Sequence, residues 1–439
     1  MSEQRPNIVL VSMDSLRGDH CGFLGSRRGL TPAMDALAAD GVNYRSAIAP
    51  GPQTFSSMPA VFTGQPRPVE DLREYPGETH WQRRIAAISE YMRTTTQFTE
   101  RLRELGYTTA AITPNPWTSA PTGFDRGFDR FVDLSSEDQD DDGRRSLIER
   151  LPGIDTDDRA VKLVVDMLTG SSFFAKWQDL YRSVSQLRAD LPEPYFLWVF
   201  LLDTHYPFLT ARRHREEQSL IEMYRSAYRS ERLMRGRDEN SRMSPSLKQS
   251  VVAGYRDTVR ASDAFVERFR ADGEDDPVLI LHSDHGESFG EHGNYGHHHR
   301  DLYEENIHVP YVVHNAGVTA EVTTPVSLTT LPEAVLEIGR RGTFDPEAYT
   351  DEYVVSRSEC GTSQAVRGRR FKYFDSGERE MLFDLSTDPD ESNNVIEDNP
   401  ELAAQLRARL DAEKGTWTEK RELRRASRAI ASTGGVTRP

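Results

Sequence analysis

The sequence predicts an α/β fold: a mostly parallel central sheet with helices on both faces, followed by a small C-terminal α+β subdomain. Three observations carry that expectation. Along residues 1–345, short apolar runs alternate with longer amphipathic stretches, the pattern of strand–helix–strand units. The runs are apolar without alternation, as in Pro194 to Leu202, which suits strands covered on both faces. From about Tyr349 the texture changes to short, closely spaced strands and one helix, so residues 346–412 form the subdomain, with a small antiparallel sheet. Residues 413–439 are charged and then rich in Ser, Thr and Gly, the composition of a flexible tail.

The elements follow in order. Asn7 to Met13 is the first strand and ends in Asp14. Thr31-Pro32 starts a helix, with Thr as its cap and Pro in its first turn. A Gly51-Pro52 turn precedes Thr54 and a short helix at Ser57 to Phe62. Thr99 to Leu105 is helical, Gly106 stops it, and Thr108 to Thr113 is the next strand. Ser135 to Gly143 is a solvated acidic loop, and Arg212 to Ser246 is a charge-rich helical excursion. The amphipathic helix Val251 to Arg270 feeds a strand around Leu279, and His308 to His314 is a further strand. Tyr353 to Ser356, Gln364 to Arg367 and Arg370 to Phe374 are the subdomain strands, closed by a helix from Glu401 to Leu410.

Composition narrows the partners. The net charge of −16 over 439 residues argues against nucleic acid or an anionic membrane. Two cysteines, Cys21 and Cys360, make no disulfide framework and suit a reducing compartment. The polar start MSEQRPN is no signal peptide, and no apolar run approaches the length of a membrane span, so a cytoplasmic location is expected.

The chemistry concentrates in LHSDHGESFGEHG, Leu281 to Gly293. An apolar run ends there in Asp284-His285, as the first strand ends in Asp14. A parallel sheet brings both tips to its carboxyl edge, where ligands bind, and carboxylate with imidazole is half of a divalent-metal site. Thr54 precedes a helix, whose free N–H groups favour an anion. Its hydroxyl is either a turn or cap group or a metal-activated nucleophile.

PNIVLVSMDSLRGDH, LTPAMDALAADGVNYRSAIAP, Thr63-Gly64, GYTTAAITPN, GFDRGFDRF, SDHGESFGEHG, LYEENIHVPYVV and FKYF…MLFDLSTDPDESNNV occur in this order from Pro6 to about Val395. Together they resemble the sulfatases of the alkaline-phosphatase superfamily. The resemblance implies an alkaline-phosphatase-like fold and one divalent cation. Calcium is the ion it favours; magnesium, manganese or zinc stay open. Asp14, Asp284 and His285 match the family's ligands, and Thr54 matches the nucleophile, which also meets the metal. Two departures stand out. Ser15 replaces a second acid, which weakens a hard-cation site. Thr54 replaces the Cys or Ser that becomes formylglycine, and Ser56 and Met58 replace the Pro and Arg of that motif. No formylglycine is therefore expected. A threonine sulfate lacks the aldehyde exit of formylglycine, whereas a threonine phosphate is resolved by attack at phosphorus. The expected function is metal-dependent hydrolysis of a small-molecule or glycan sulfate or phosphate ester through a covalent Thr54 intermediate. A phosphodiesterase, a phospho-group transferase or a degenerate glycan-binding member are the alternatives.

By the same resemblance, His205 in His205-Tyr206-Pro207-Phe208 is the catalytic imidazole. His299, then His298, stands where the family carries a sulfate-binding Lys, and Asn115 stands in the region of another. Arg17 is a candidate contact to a substrate oxygen, with a surface Arg as the alternative. Asp203, His205 and His298 or His299 would supply a second metal in a binuclear variant. Glu287 and His292 are expected to shape the loop.

Overall fold

The main sheet is organised around Ile8–Met13, whose six residues are all buried. A computed structural model describes residues 5–69, 71–135, 176–234, 243–273 and 275–432. In it the strand order is Ala320–Val322, Val42–Tyr44, Tyr311–His314, Val278–Ser283, Ile8–Met13, Tyr195–Leu201, Thr108–Thr113 and Arg130–Asp133. Every strand runs parallel except Tyr311–His314, which pairs antiparallel with both of its neighbours. Met13 pairs with Ser283 on one side and Leu201 on the other. The next residues, Asp14, Asp284 and Leu202, therefore leave the sheet side by side.

Side chains alternate across a strand. Ile8, Leu10, Phe196, Trp198, Val278 and Ile280 enter one core with the helices Thr54–Thr63, Phe98–Glu104 and Leu331–Arg341. Val9, Val11, Leu197, Val199, Leu279 and Leu281 enter the opposite core with Pro32–Asp40, Trp177–Asp190 and Pro245–Asp272. This double covering is why the strands read as unbroken apolar runs. Beyond them, Tyr353–Arg357, Gln364–Gly368, Phe371–Asp375 and Glu380–Asp384 form an antiparallel meander. One of its faces (Ala365, Phe374, Met381, Phe383) joins the first core, and the other (Val366, Tyr373, Leu382) packs on Leu406 and Leu410.

Several elements differ from expectation for local reasons. Pro310 divides the expected strand His308 to His314: His308–Val309 pairs with Ala47–Ile48, and only Tyr311–His314 enters the main sheet. Thr31 sits at the helix cap, but its hydroxyl donates to Asp35. The N–H groups of Ala33 and Met34 are instead capped by Asp263, 230 residues away in sequence. His80–Thr94 escapes sequence periodicity because its buried residues are confined to its second half. The closing helix extends from Pro400 to Ser432, through much of the segment whose composition suggests a tail. Of the acidic loop, only Ser135 lies within the described residues; residues 235–242 of the charged excursion also lie outside them, while Leu220–Met234 is helical. Among the described residues, no helix is long and apolar enough to cross a membrane.

Trp198 is fully buried, lies 4.5 Å from Phe62 between ring centroids, and donates Nε1–H to Ser12 Oγ at 3.0 Å. Trp198→Ala should cost about 3–5 kcal/mol through cavity formation, read as a lower denaturant midpoint with an unchanged slope.

Candidate active site

Asp14 and Asp284 are fully buried at the tips of adjacent strands. Ser15, which follows Asp14 with φ +62°, donates Oγ–H to Asp14 Oδ1 at 2.9 Å and N–H to Asp284 Oδ1 at 3.2 Å. The residue that replaces the family's second acid thus clamps both carboxylates. Its left-handed backbone, uncommon outside glycine, is the conformation that permits this. Asn115 Nδ2 donates to Asp14 Oδ2 at 2.8 Å, and His285 N–H donates to Asp284 Oδ1 at 2.9 Å. Asp284 Oδ2 accepts no hydrogen bond.

His285 Nδ1 lies 2.8 Å from Gly286 O and must carry the proton there, leaving Nε2 as a lone pair. That lone pair lies 3.5 Å from Asp14 Oδ1 and 3.5 Å from Asp284 Oδ2. Burial, then the neighbouring His297, lowers the imidazole to about 3, so it is neutral at physiological pH. Burial and the facing Asp14 push the Asp284 carboxyl well above the ordinary carboxylate range. Three acceptors thus converge within 4.8 Å of one another. A divalent cation fits such a donor set. Gly286 holds the loop in place: a Cβ there would lie 1.9 Å from Glu305 O, so the SDHG turn admits only glycine.

Thr54 is the first residue of Thr54–Thr63 and is 4% exposed. Its hydroxyl donates to Asp14 Oδ2 at 3.4 Å and lies 3.3 Å from His285 Nε2. Four of the residues singled out in sequence, Asp14, Thr54, Asp284 and His285, are therefore together, with Asn115 on Asp14.

The histidine cluster is arranged differently from expectation. His297 is the member beside the site, with ring centroids 4.8 Å from His285 and 5.1 Å from His205. Its Nδ1 is 3.3 Å from the buried Glu287, and its carbonyl accepts from Gln53 Nε2 at 2.9 Å. His298 and His299 stack on each other at 4.2 Å instead. Burial, then His298 and Arg300, hold His299 down at about 4, so it brings no positive charge at neutral pH. Three consecutive histidines are indistinguishable by residue type. The short pairing of Ser288–Phe289 with Tyr295–Gly296 selects the residue after Gly296. Glu287 and Gln53, which orient His297, carried no chemical signal of their own in sequence.

Arg17 is fully engaged: its guanidinium meets both Asp19 oxygens, Glu287 O and Glu291 Oε1. It braces the loop through Glu287 and Glu291. Asp203 Oδ2 accepts the Trp177 N–H at 3.0 Å, at the start of Trp177–Asp190. Among the described residues it joins no metal-binding group with His205, His298 or His299.

The fold defines a structural class, that of the alkaline-phosphatase-like α/β proteins. Within it the chain belongs to the sulfatase family, whose model matches residues 6–339. It is accordingly a hydrolase acting on sulfate or phosphate esters. It is 23% identical to an ulvan-active sulfatase of Formosa agariphila, over 93% of this chain and 80% of that protein. The fold superposes on the phosphonate monoester hydrolase of Agrobacterium radiobacter with a TM-score of 0.65 and 18% identity, covering 94% of this chain and 96% of the other. A 2-O GAG sulfatase superposes with a TM-score of 0.63 and 16% identity over 95% and 94% of the two chains.

Burial pushes the Asp203 carboxyl up to about 7. The folded chain therefore keeps a proton that the unfolded chain releases at about pH 4, and stability from this residue falls as pH rises from about 4 to about 7. Asp203→Asn should remove that part of the slope, leaving the variant more stable than wild type by on the order of 1 kcal/mol at pH 7.5 and not at pH 4.5. Chemical denaturation at the two pH values measures it; parallel curves would exclude a proton on Asp203.

Proposed function

We propose that this chain hydrolyses a singly charged ester, a phosphodiester in preference to a sulfate monoester, with Thr54 as nucleophile. The observation that carries the reading is the Thr54 hydroxyl set within 3.4 Å of Asp14 Oδ2 and His285 Nε2 at the start of a helix. Asp14, Asp284 and His285 would hold one divalent ion together with Thr54. Bound there, the ion would supply positive charge that lowers the pKa of the hydroxyl. Calcium is the ion the family resemblance favours.

The chain's own residues then divide the work. Thr54 gives its proton to Asp14 Oδ2, and Oγ1 bonds to phosphorus as the bond from phosphorus to the leaving oxygen breaks. Asn115 keeps Asp14 in position through the 2.8 Å hydrogen bond. The leaving oxygen takes a proton from His297, the imidazole next to His285, or from His205, which lies against His297. Water then attacks phosphorus, its proton returns to that imidazole, and the Thr54 oxygen leaves and recovers its own. At sulfur the second step has no aldehyde exit and requires direct attack on a threonine sulfate, which favours phosphorus.

Charge supports a monoanionic group. Asn115 and the His298–His299 pair occupy the positions of two family lysines, and burial lowers both histidines toward the neutral form. A doubly charged phosphate monoester would lack that compensation. The ulvan-active relative extends the reading to a carbohydrate carrying the ester.

Wild type and Thr54→Ala, assayed on an aryl phosphodiester, an aryl phosphate and an aryl sulfate, test it. Wild type should turn over the diester fastest, and Thr54→Ala should lower kcat by roughly 10³-fold or more. Equal turnover by the variant would remove Thr54 from the mechanism; a preference for aryl sulfate would reassign the ester. Chelation should abolish turnover by wild type, and a divalent ion should restore it, measured as recovered rate against added calcium or manganese.

A further inference from the structure

A second cleft, of about 840 Å³, lies between Glu291-His292 and the C-terminal sheet, and none of Asp14, Thr54, Asp284 or His285 lines it. Six carboxylates line it against three arginines, with Lys372 behind them. Most of these charges are accounted for. Arg17 serves Asp19 and Glu291, Arg367 serves Glu304, and Lys372 divides one charge between Glu304 at 3.2 Å and Glu391 at 2.8 Å.

Glu305 is the exception. Its side chain is 8% exposed, and its Oε1 accepts no hydrogen bond. That oxygen lies 3.7 Å from His292 Nε2. The His292 ring is fixed by stacking on Tyr303, with centroids 3.5 Å apart and planes 7° apart. Glu391 completes the group: its side chain is 1% exposed, and its backbone is held at φ +52°, a conformation a non-glycine residue rarely adopts without a reason in its surroundings. One ligand atom from each of the three lies within 4.8 Å of the others.

We propose that His292, Glu305 and Glu391 bind a divalent transition-metal ion, a structural centre separate from the one at Thr54. One imidazole and two carboxylates suit zinc or manganese better than calcium, which takes oxygen ligands alone. Glu391 already meets Lys372 at 2.8 Å, whereas the ion-pair partner of Glu305 among the described residues is His292, so a cation between them would complete the group. The ligands come from three segments: the loop after Val278–Ser283, the helix Glu304–Ile307, and the turn after Glu380–Asp384. An ion there would tie the C-terminal sheet to the loop that carries His285 and His297, which Arg17 anchors separately to the tip of Ile8–Met13 through Glu287 O and Glu291.

Manganese alone, titrated into the metal-free full-length chain, tests the site by counting bound Mn²⁺ and following Tm. Asp284→Asn weakens the strand-tip site, so this variant should still bind one Mn²⁺ and gain several degrees in Tm, where wild type binds two. Glu305→Gln should bind one ion fewer than wild type, and Asp284→Asn with Glu305→Gln none. The proposal is overturned if folded Asp284→Asn, identified by a cooperative melt, binds no Mn²⁺, or if Glu305→Gln binds as many ions as wild type. Should Glu305→Gln not fold, His292→Ala takes its place in the titration: one Mn²⁺ fewer than wild type supports the site, and an equal number overturns it.

Discussion

Two carboxylates and an imidazole lone pair, all fully buried and all acceptors, face one another at the tips of two adjacent parallel strands. Buried like charges are costly unless fixed donors and an opposing charge surround them. Much of the local structure can be understood as meeting that demand. Ser15 adopts a left-handed backbone and donates to both acids, Asn115 reaches Asp14 from the tip of Thr108–Thr113, and Thr204 donates to the Asp14 carbonyl. The remaining unsatisfied oxygen, on Asp284, is the one directed at the His285 lone pair.

The sheet makes this geometry reproducible. Apolar cores on both faces hold the two strands in register along six residue pairs, so the acids following Met13 and Ser283 meet without freedom to slip. A one-residue slip would exchange the faces of every side chain and bury no less apolar surface, yet it would separate Asp14 from Asp284. The loop beyond Asp284 extends this order outward. Gly286 presses against Glu305, Arg17 grips Glu287 and Glu291, and His297 returns to stand beside His285. The same loop contributes His292 to the second cluster, so both groups of acceptors share one piece of backbone.

Family membership and the chemistry proposed for Thr54 point in different directions, and the geometry is compatible with both. The sulfatase scaffold supplies the acceptors, whatever oxygen is placed among them. Thr54 keeps the contact with Asp14 and His285, Asn115 donates to Asp14, and burial holds the His299 imidazole in its neutral form.

Much of this was legible in the residue order. Continuous apolar strands showed a doubly covered sheet; Asp14, Thr54, Asp284 and His285 were singled out by their places at element ends and by the family resemblance, and the fold brings them together. Elements set by distant partners were less legible. The cap on Pro32–Asp40 comes from Asp263, Pro310 divides a run that looked continuous, and His80–Thr94 shows its apolar face only in its second half. The roles of the polar side chains depended on tertiary structure most of all. Sequence alone determined that the chain carries this scaffold with a threonine, Thr54, at a helix start. Only the folded chain decided that His297 rather than His298 or His299 stands at the site, that Arg17 is consumed by acids, and that Glu305 meets His292 and Glu391. Residue type and local spacing specify what a side chain can do, whereas its neighbours are set by contacts between segments far apart in sequence.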